Sequence, residues 1–381
     1  MAKLEEICEF KNGLWKSEKQ PLVSVTVLRN TNFTKNGQLN LQDVAILDVE
    51  ERLLKDRLLQ FGDIILERSG GGPKQPVGRV AFFNIREARN YSFSNFTTRI
   101  RIKDEKMLPI FLWRVLYYFY QKGGTEKLQK QTSGIRNLEF DRYKVIVIPL
   151  PPLDAQREIV AEIEGYQKVI DGARQVVENW KPRIKIDPEW PGVKLGELCT
   201  FMTGGTPTST EKKYYENGTI RWLVSGDIHR EEIFDCKGRI TELGMKSSNA
   251  KYLSIDSVLI ALNGQGRTRG TVAILRIKAT CNQSIVSITP KNKEQLISEF
   301  LLYQLKGRYA EIRNLTGDNQ RSGLNIPILK NIDICLPKIE EQKNIVAEIQ
   351  EQQQGVDACK KLIETYEAKI KEKIGDVWGE K

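Results

Sequence analysis

The feature that most constrains this chain is that it repeats itself, so each half must fold into the same kind of unit. LPPLDAQREIVAEIEGY at residues 150–166 and LPKIEEQKNIVAEIQEQ at residues 336–352 align at an offset of 186, sharing a proline, a glutamine and an identical IVAEI. LEEICEFKNG from Leu4 matches LGELCTFMTG from Leu195 at offset 191, and Ser133-Gly134 matches Ser322-Gly323 at offset 189. FGDIILERSGGGPKQPVGRVAFF parallels SIDSVLIALNGQGRTRGTVAIL: an aspartate, an apolar strand, a Gly-rich loop and a second apolar strand. Four matches in one order make the 381 residues two tandem copies, each about 190 residues long. With 40% hydrophobic and 28% charged residues, each copy can bury a core.

Each copy ends in a predicted helix. In the first, Ile163, Ile170 and Val177 recur every seven residues beside Ile159, Tyr166, Ala173 and Trp180; the second repeats this with Ile349, Val356, Ile363, Ile370 and Val377 beside Ile345, Gln352, Cys359 and Tyr366. Apolar heptads with Glu, Lys and Gln between them read as coiled coil, and matched seams predict that the two helices pack on each other. In a pseudo-two-fold arrangement that pairing is antiparallel, with the globular parts at opposite ends. Two amphipathic helices lying on their own domains are the plainer alternative. Asp154, after two prolines, is the expected N-cap of the first helix. At 1.5 Å per residue the helices span about 40 and about 50 Å.

The globular parts read as mostly β. Residues 23–27, 63–67, 78–83 and 98–103 are short β-branched or aromatic runs, and residues 108–121 and 294–306 read as one helix per copy. The expected fold is therefore α+β, divided into a first globular domain (1–152), a central helix (153–186), a second globular domain (187–338) and a distal helix (339–378), with KIDPEWPGV at 185–193 as a stiff join. The six cysteines are scattered without a C-x-x-C, which argues against a disulfide framework or a thiolate zinc site and suits reduced thiols in cytoplasm. The N-terminus lacks a signal-peptide layout, and the most apolar stretch, residues 109–120, is short and interrupted by Arg114.

The positive charge is confined. Of the net +10, residues 1–152 hold +8 and residues 190–338 hold +7, while residues 153–189 and 339–381 hold −2 and −3. Basic lobes joined by non-basic spacers suit a protein gripping nucleic acid at two points. The Gly-rich loops are the richest candidates: Arg68, Lys74, Gln75 and Arg79 in RSGGGPKQPVGR, and Asn263, Gln265, Arg267 and Arg269 in NGQGRTRG. Arg forks onto guanine, Asn and Gln onto adenine, and glycines admit close backbone approach. Arg136 and Asn137 follow Ser133-Gly134; Gln320, Arg321 and Asn325 flank Ser322-Gly323; Asn282 and Gln283 lie in ATCNQSIVSI; Trp222, Ser225 and Asp227 lie in RWLVSGDIHR. Lys212 and Lys213 are expected phosphate contacts. For each of these a hairpin turn, a strand cap or a solvated charge is the plainer reading.

Catalytic patterns are missing. Neither loop is G-x-x-x-x-G-K-[ST], there is no N/D-P-P-Y/F and no G-x-G-x-x-G, and the acid-x-Lys triplet at 211–213 has no partner aspartate strand. The single histidine, His229, rules out a multi-histidine metal site and has no obvious Ser or Cys partner. The chain reads as a binder without metal or cofactor of its own.

These residues resemble the specificity subunits of type I restriction–modification systems. The likeness runs over the whole chain, carried by LPPLDAQREIVAEI and LPKIEEQKNIVAEI at the helix starts, PEWPGVKLGELCTFMTGGTP opening the second copy, and WLVSGDIH, LNGQGRTRGTVAIL, CNQSIVSI and QRSGLNIPIL within it. The first copy departs, with SGGGPKQPVGR in place of an NGQG-type loop and SNFTTRIRI in place of CNQSIVSI. The resemblance implies two target-recognition domains, each reading half of a split, non-palindromic DNA sequence. It implies helices that set the gap between halves and dock two methyltransferase subunits. Those partners would carry S-adenosylmethionine and methylate adenine, and a separate ATP-driven motor–nuclease subunit would add restriction. Lobes about 40 Å apart would address neighbouring turns of one DNA face, a turn being roughly 34–36 Å. A stand-alone nuclease or methyltransferase, and a tandem RNA- or protein-binding scaffold, stay open at this point.

Overall fold

The computed structural model describes residues 1–16, 19–72, 75–86, 90–132, 135–264, 266–316 and 323–379. The chain forms two compact units, Met1–Gln175 with Lys360–Lys381, and Val176–Cys359.

In the first unit a four-stranded antiparallel sheet runs β1 (Cys8–Asn12), β2 (Ile64–Glu67), β3 (Val80–Phe82) and β4 (Thr97–Ile102), in the spatial order β1-β4-β2-β3. The second unit repeats it with β5 (Cys199–Thr203), β6 (Val258–Ala261), β7 (Val272–Leu275) and β8 (Ile285–Pro290) in the order β5-β8-β6-β7, extended by Glu232–Ile233 parallel to β7. Each unit also has a three-stranded sheet of matching topology. Leu22–Leu28 lies between antiparallel Ala45–Glu50 and parallel Tyr91–Phe93; Ile220–Leu223 lies between antiparallel Arg239–Ile240 and parallel Thr280–Cys281. The duplication legible in the sequence is thus a duplication of strand order and sense. The first unit adds a small sheet of Ser69–Gly71, Ile135–Leu138 and Gln129–Thr132.

The expected strands fall within a few residues of β2, β3, β4 and Leu22–Leu28. Two helix boundaries are corrected by the same physics. The globular-domain helices are Pro109–Gln121 and Ser298–Gly307 rather than 108–121 and 294–306, because Leu108 and Ile297 have extended backbone (ψ 131° and 136°) and stand as N-caps, their amides, which no helix turn can use, bonded to side chains outside the helix. The central helix is Leu153–Asn179. Asp154 is therefore not its N-cap; it sits inside the first turn, favourable to the helix dipole, and pairs with Arg157 at 2.7 Å.

The shared glutamine of the two LP motifs is bonded at those boundaries. Gln156 is fully buried; its Oε1 accepts from the Leu108 amide at 2.8 Å, and its Nε2 donates to the Lys106 and Pro151 carbonyls at 2.7 and 2.8 Å. Gln342 repeats all three bonds, to the Ile297 amide at 3.0 Å and to the Gln295 and Pro337 carbonyls at 2.8 and 2.9 Å. One side chain thus ties each long helix to the domain helix before it and satisfies backbone groups that no helix turn can reach.

Core residues pack between the sheet and these helices: Ile64, Leu66, Ile100, Phe111, Trp113 and Tyr143 in the first unit, Val258, Ile260, Ile274, Ile288, Phe300 and Leu305 in the second. Of the heptad residues, Ile163, Ile170, Ile349 and Val356 are buried, and Ile159, Val177, Ile345, Ile363 and Ile370 are half-buried. Within the first unit the central helix meets the distal helix (Ile339–Trp378) in antiparallel sense. Glu162 pairs with Lys373 at 2.5 Å, the Tyr166 and Tyr366 rings lie 5.3 Å apart, and Arg174 pairs with Glu367 at 3.3 Å. Within the second, Trp180 Nε1 donates to Gln352 Oε1 at 3.2 Å. Among the described residues no helix is long and apolar enough to cross a membrane.

Candidate nucleic-acid interface

The antiparallel sheet in each unit brings loops to one edge. In the second unit β5 ends there at Thr203, β6 ends at Ala261, β7 begins at Val272 and β8 begins at Ile285. The segments leaving this edge are residues 204–206, the Gly-rich loop 262–271, and the turn 282–284. Backbone bonds weld them: Gly205 N–H to Cys281 O at 3.0 Å, Asn282 N–H to Leu223 O at 3.0 Å, Leu262 N–H to Ser284 O at 2.8 Å and Leu324 N–H to Leu262 O at 3.0 Å. Gly323 lies close under the loop: a Cβ there would fall 1.7 Å from Asn263 Oδ1, an exposed side-chain end that could swing aside, and 3.1 Å from Leu262 O. The described residues of the motifs GGTP, VSGD, NGQG, CNQS and SGLN, scattered through the sequence, are therefore brought together.

Individual side chains divide into those used by the fold and those offered to solvent. Asn282 Oδ1 accepts from the Ser284 amide at 3.0 Å, shaping the turn. Gln283 Oε1 accepts from Thr206 Oγ1 at 2.5 Å. Asn325 caps the helix Ile326–Lys330 through the Ile328 amide at 3.0 Å, Asp227 accepts from the Val224 amide at 3.0 Å, and Trp222 Nε1 donates to Gly205 O at 3.0 Å. Ser225 opens the 3-10 turn Ser225–His229. His229 Nε2 lies 3.1 Å from Thr268 Oγ1, tethering the Gly-rich loop; sequence reasoning left both residues without a role. Asn263 and Arg267 project as exposed side chains, with the Arg267 carbonyl held by Tyr309 Oη at 2.9 Å and Thr271 Oγ1 at 2.7 Å. Arg269 is half-buried, its carbonyl held by Arg313 at 3.1 Å. Lys212 is exposed; Lys213 pairs with Glu211 at 3.2 Å, which holds its ammonium above the usual lysine range. The Lys213–Glu211 pair gives the acid-x-Lys triplet a structural reading. Gln265, Gln320 and Arg321 lie outside the described residues.

The first unit builds the same edge from different residues. Arg68 N–H donates to Phe96 O at 2.8 Å and Leu138 N–H to Arg68 O at 2.8 Å, reproducing the Leu262 and Leu324 bonds, and Ser94 N–H donates to Leu28 O at 2.9 Å as Asn282 does to Leu223. Gly13 and Gly204, matched at offset 191, share one cause: a Cβ would lie 2.0 Å from Ser94 O in one and 1.7 Å from Cys281 O in the other. Arg79 is engaged inside the fold, because it forks onto the fully buried Glu67 at 2.7 and 2.9 Å and donates to Asn30 O at 3.0 Å. In the second unit the equivalent positions are Ala261 and Thr271, joined only through backbone at 3.0 Å. Arg68 is half-buried, stacked over Phe140 at 4.4 Å and donating to Asn12 Oδ1 at 2.7 Å; burial lowers its pKa. Asn137 Oδ1 accepts from Ser69 Oγ at 2.6 Å, Arg136 is half-buried on the same strand, and Gln75 is exposed beside Arg79. Lys74 lies outside the described residues. Trp15 and Phe96, which carry no motif in the sequence, stand on this edge with ring centroids 6.4 Å apart.

Among the described residues no three His, Cys, Asp or Glu side chains converge as a metal site. Burial pushes the thiols of Cys8, Cys199 and Cys281 up to about 12, which makes them packing residues rather than nucleophiles. What the edge offers is guanidinium and amide groups on loops tied together by backbone hydrogen bonds.

Comparison with known proteins agrees with the duplication. The family model for the type I restriction modification DNA specificity domain matches twice, over residues 1–178 and 188–375. The EcoR124I/EcoR124II specificity subunit of Escherichia coli is 25% identical over 192 residues, covering 50% of this chain and 46% of that relative, so the matched part spans less than half of its length. The StySPI specificity subunit of Salmonella potsdam is 21% identical over 372 residues, 88% of this chain and 77% of that one. Among solved structures, one from a study of complex assembly and conformational transition of the type I R-M system aligns over 99% of this chain and 95% of its own, with TM-score 0.63 and 21% identity. The type I restriction-modification S subunit from M. genitalium aligns over 98% and 94%, with TM-score 0.54 and 14% identity. Repeat, duplicated sheet topology and twofold family match lead to one conclusion: this chain belongs to the type I restriction–modification DNA specificity family and carries one copy of that family's domain in each half.

Proposed function

We propose that this chain is the sequence-reading subunit of a type I restriction–modification complex, each lobe contacting one half of a bipartite target on double-stranded DNA. The observation that carries the reading is the duplicated edge. Two sheets of one topology present their loops at the corresponding edge, each within a segment of net positive charge, +8 and +7. Family membership supplies the context. Arg267, Asn263 and Gln283 contribute to base readout in the second lobe and Arg136 and Gln75 in the first, while Lys212 and Lys213 meet phosphates. The paired helices set the gap between half-sites and dock two methyltransferase subunits. The chain performs no chemistry itself: S-adenosylmethionine is held by the methyltransferase subunits and ATP by a motor–nuclease subunit. The complex works in the cytoplasm.

The decisive experiment is co-expression with the cognate methyltransferase subunit, followed by mapping of methylated adenines across a genome. The reading expects one split sequence with a fixed gap. Methylation that ignores sequence, or survives deletion of this chain, refutes it.

A further inference from the structure

The first lobe exposes two aromatic rings on the edge that carries its Gly-rich loop. Trp15 is 70% exposed and Phe96 46% exposed, tilted against each other at 46°. The backbone beside each ring is tied to the sheet. Leu14 N–H donates to Phe93 O at 2.8 Å, Asn95 N–H to Leu14 O at 3.0 Å, and Arg68 N–H to Phe96 O at 2.8 Å. A tryptophan left this far in water forgoes the burial that normally fixes its place, so an exposed aromatic pair beside a bonded backbone points to a partner with flat apolar faces. The second lobe sharpens the point. Thr206 stands at offset 191 from Trp15, and its hydroxyl bonds Gln283 at 2.5 Å in the turn equivalent to residues 94–96. One place in the duplicated frame is aromatic in one copy and polar in the other. Its surroundings select a polyanion: residues 1–152 carry +8, and the Arg68 guanidinium lies beside Asn12, three residues before Trp15.

We infer that Trp15 and Phe96 stack against bases of DNA held on the first lobe, entering the duplex as a wedge at one base step, while the second lobe makes a polar contact at the matching place through Thr206 and Gln283. The inference rests on the DNA-reading function proposed above and goes beyond it. A wedge reads how easily a step unstacks, so this part of the half-site is chosen by deformability, with pyrimidine–purine steps favoured, rather than by hydrogen bonding.

The test uses the full chain and duplexes of its mapped target carrying 2-aminopurine at one position at a time through both halves, a probe that brightens when unstacked. A several-fold rise confined to one half-site is expected with the wild-type chain and with Trp15→Phe. It should vanish in Trp15→Ala and persist in Thr206→Ala. Trp15→Ala should also weaken target binding about tenfold, the order of a single base–aromatic stack. Trp15 being exposed, the variant should fold, and amide hydrogen exchange of the first unit checks that it does. No rise at any position, or a rise that survives Trp15→Ala, overturns the wedge. Equal wild-type affinity for target and scrambled duplexes overturns the DNA-reading function itself, and the wedge with it.

Discussion

Replacing Gln342 by alanine should unlatch the distal helix from its domain. The side chain is fully buried and makes three hydrogen bonds of 3.0, 2.8 and 2.9 Å, to the Ile297 amide and to the Gln295 and Pro337 carbonyls. Alanine removes all three and leaves one donor and two acceptors in a place where water has little access. Each abandoned buried group costs about 1–3 kcal/mol, so a total of roughly 3–5 kcal/mol is expected after partial relaxation. Gln342→Glu should fare little better, since a carboxylate keeps the Ile297 bond but turns oxygens toward two carbonyls. The assay is native-state hydrogen exchange with denaturant unfolding, read separately for Ser298–Gly307 and for the start of the distal helix, because two units need not unfold in one step. Gln354→Ala, on an exposed position of the same helix, is the control. A loss at Gln342 under about 1 kcal/mol, or one equal to the control, would refute the latch. The same reasoning predicts a matching loss for Gln156→Ala in the first unit.

Arg267→Ala should cost about 1–3 kcal/mol on the proper half-site and relax one or two positions there, measured by competition against base-substituted duplexes; an equal loss on random DNA would reduce Arg267 to a phosphate contact. Lys212→Ala with Lys213→Ala should flatten the salt dependence of binding for every sequence, the slope of log affinity against log salt falling by about one for each phosphate no longer neutralised, with Lys212 contributing more because Lys213 is shared with Glu211. Cys8, Cys199 and Cys281 have folded pKa values raised by burial from 9.0 to about 12, so the stabilisation they support is complete below pH 9 and is lost as pH climbs toward 12; alkylation near neutrality should spare them and reach the half-buried Cys335 and Cys359 first. One added heptad in each helix, after Gln167 and after Tyr366, keeps both seams in register and adds about 10 Å, so the gap between half-sites should lengthen by up to about 3 base pairs while the half-sequences stay fixed. A gap unchanged in every active variant of such a series would show that the helices do not set it.

The sequence by itself determined the duplication, the long helices with their heptad seams, most strands of the two sheets, and the confinement of positive charge to two segments. These properties repeat or accumulate along the chain, so they survive without coordinates. It also marked Gly13, Gly204 and the two glutamines as shared positions, though not why. Only the tertiary structure supplied the reasons: carbonyls less than 2.5 Å from where a Cβ would stand, and amides and carbonyls 45 to 50 residues away that Gln156 and Gln342 satisfy. The candidate site was legible only as scattered motifs. An arginine at the end of a Gly-rich loop looks the same in sequence whether it points to solvent, as Arg267 does, or forks onto a buried carboxylate, as Arg79 does on Glu67. Asn325 is likewise used by the fold as a helix cap, a start that Asn325 followed by Pro327 signals in the sequence. Trp15 gave no sequence signal because an isolated tryptophan is ordinarily core; its exposure follows from which strand edge the fold leaves uncovered. Patterns of polarity decide which elements form. Whether a given polar or aromatic group is used by the fold or left for a partner is decided by contacts between segments far apart in the chain, and those exist only after it has folded.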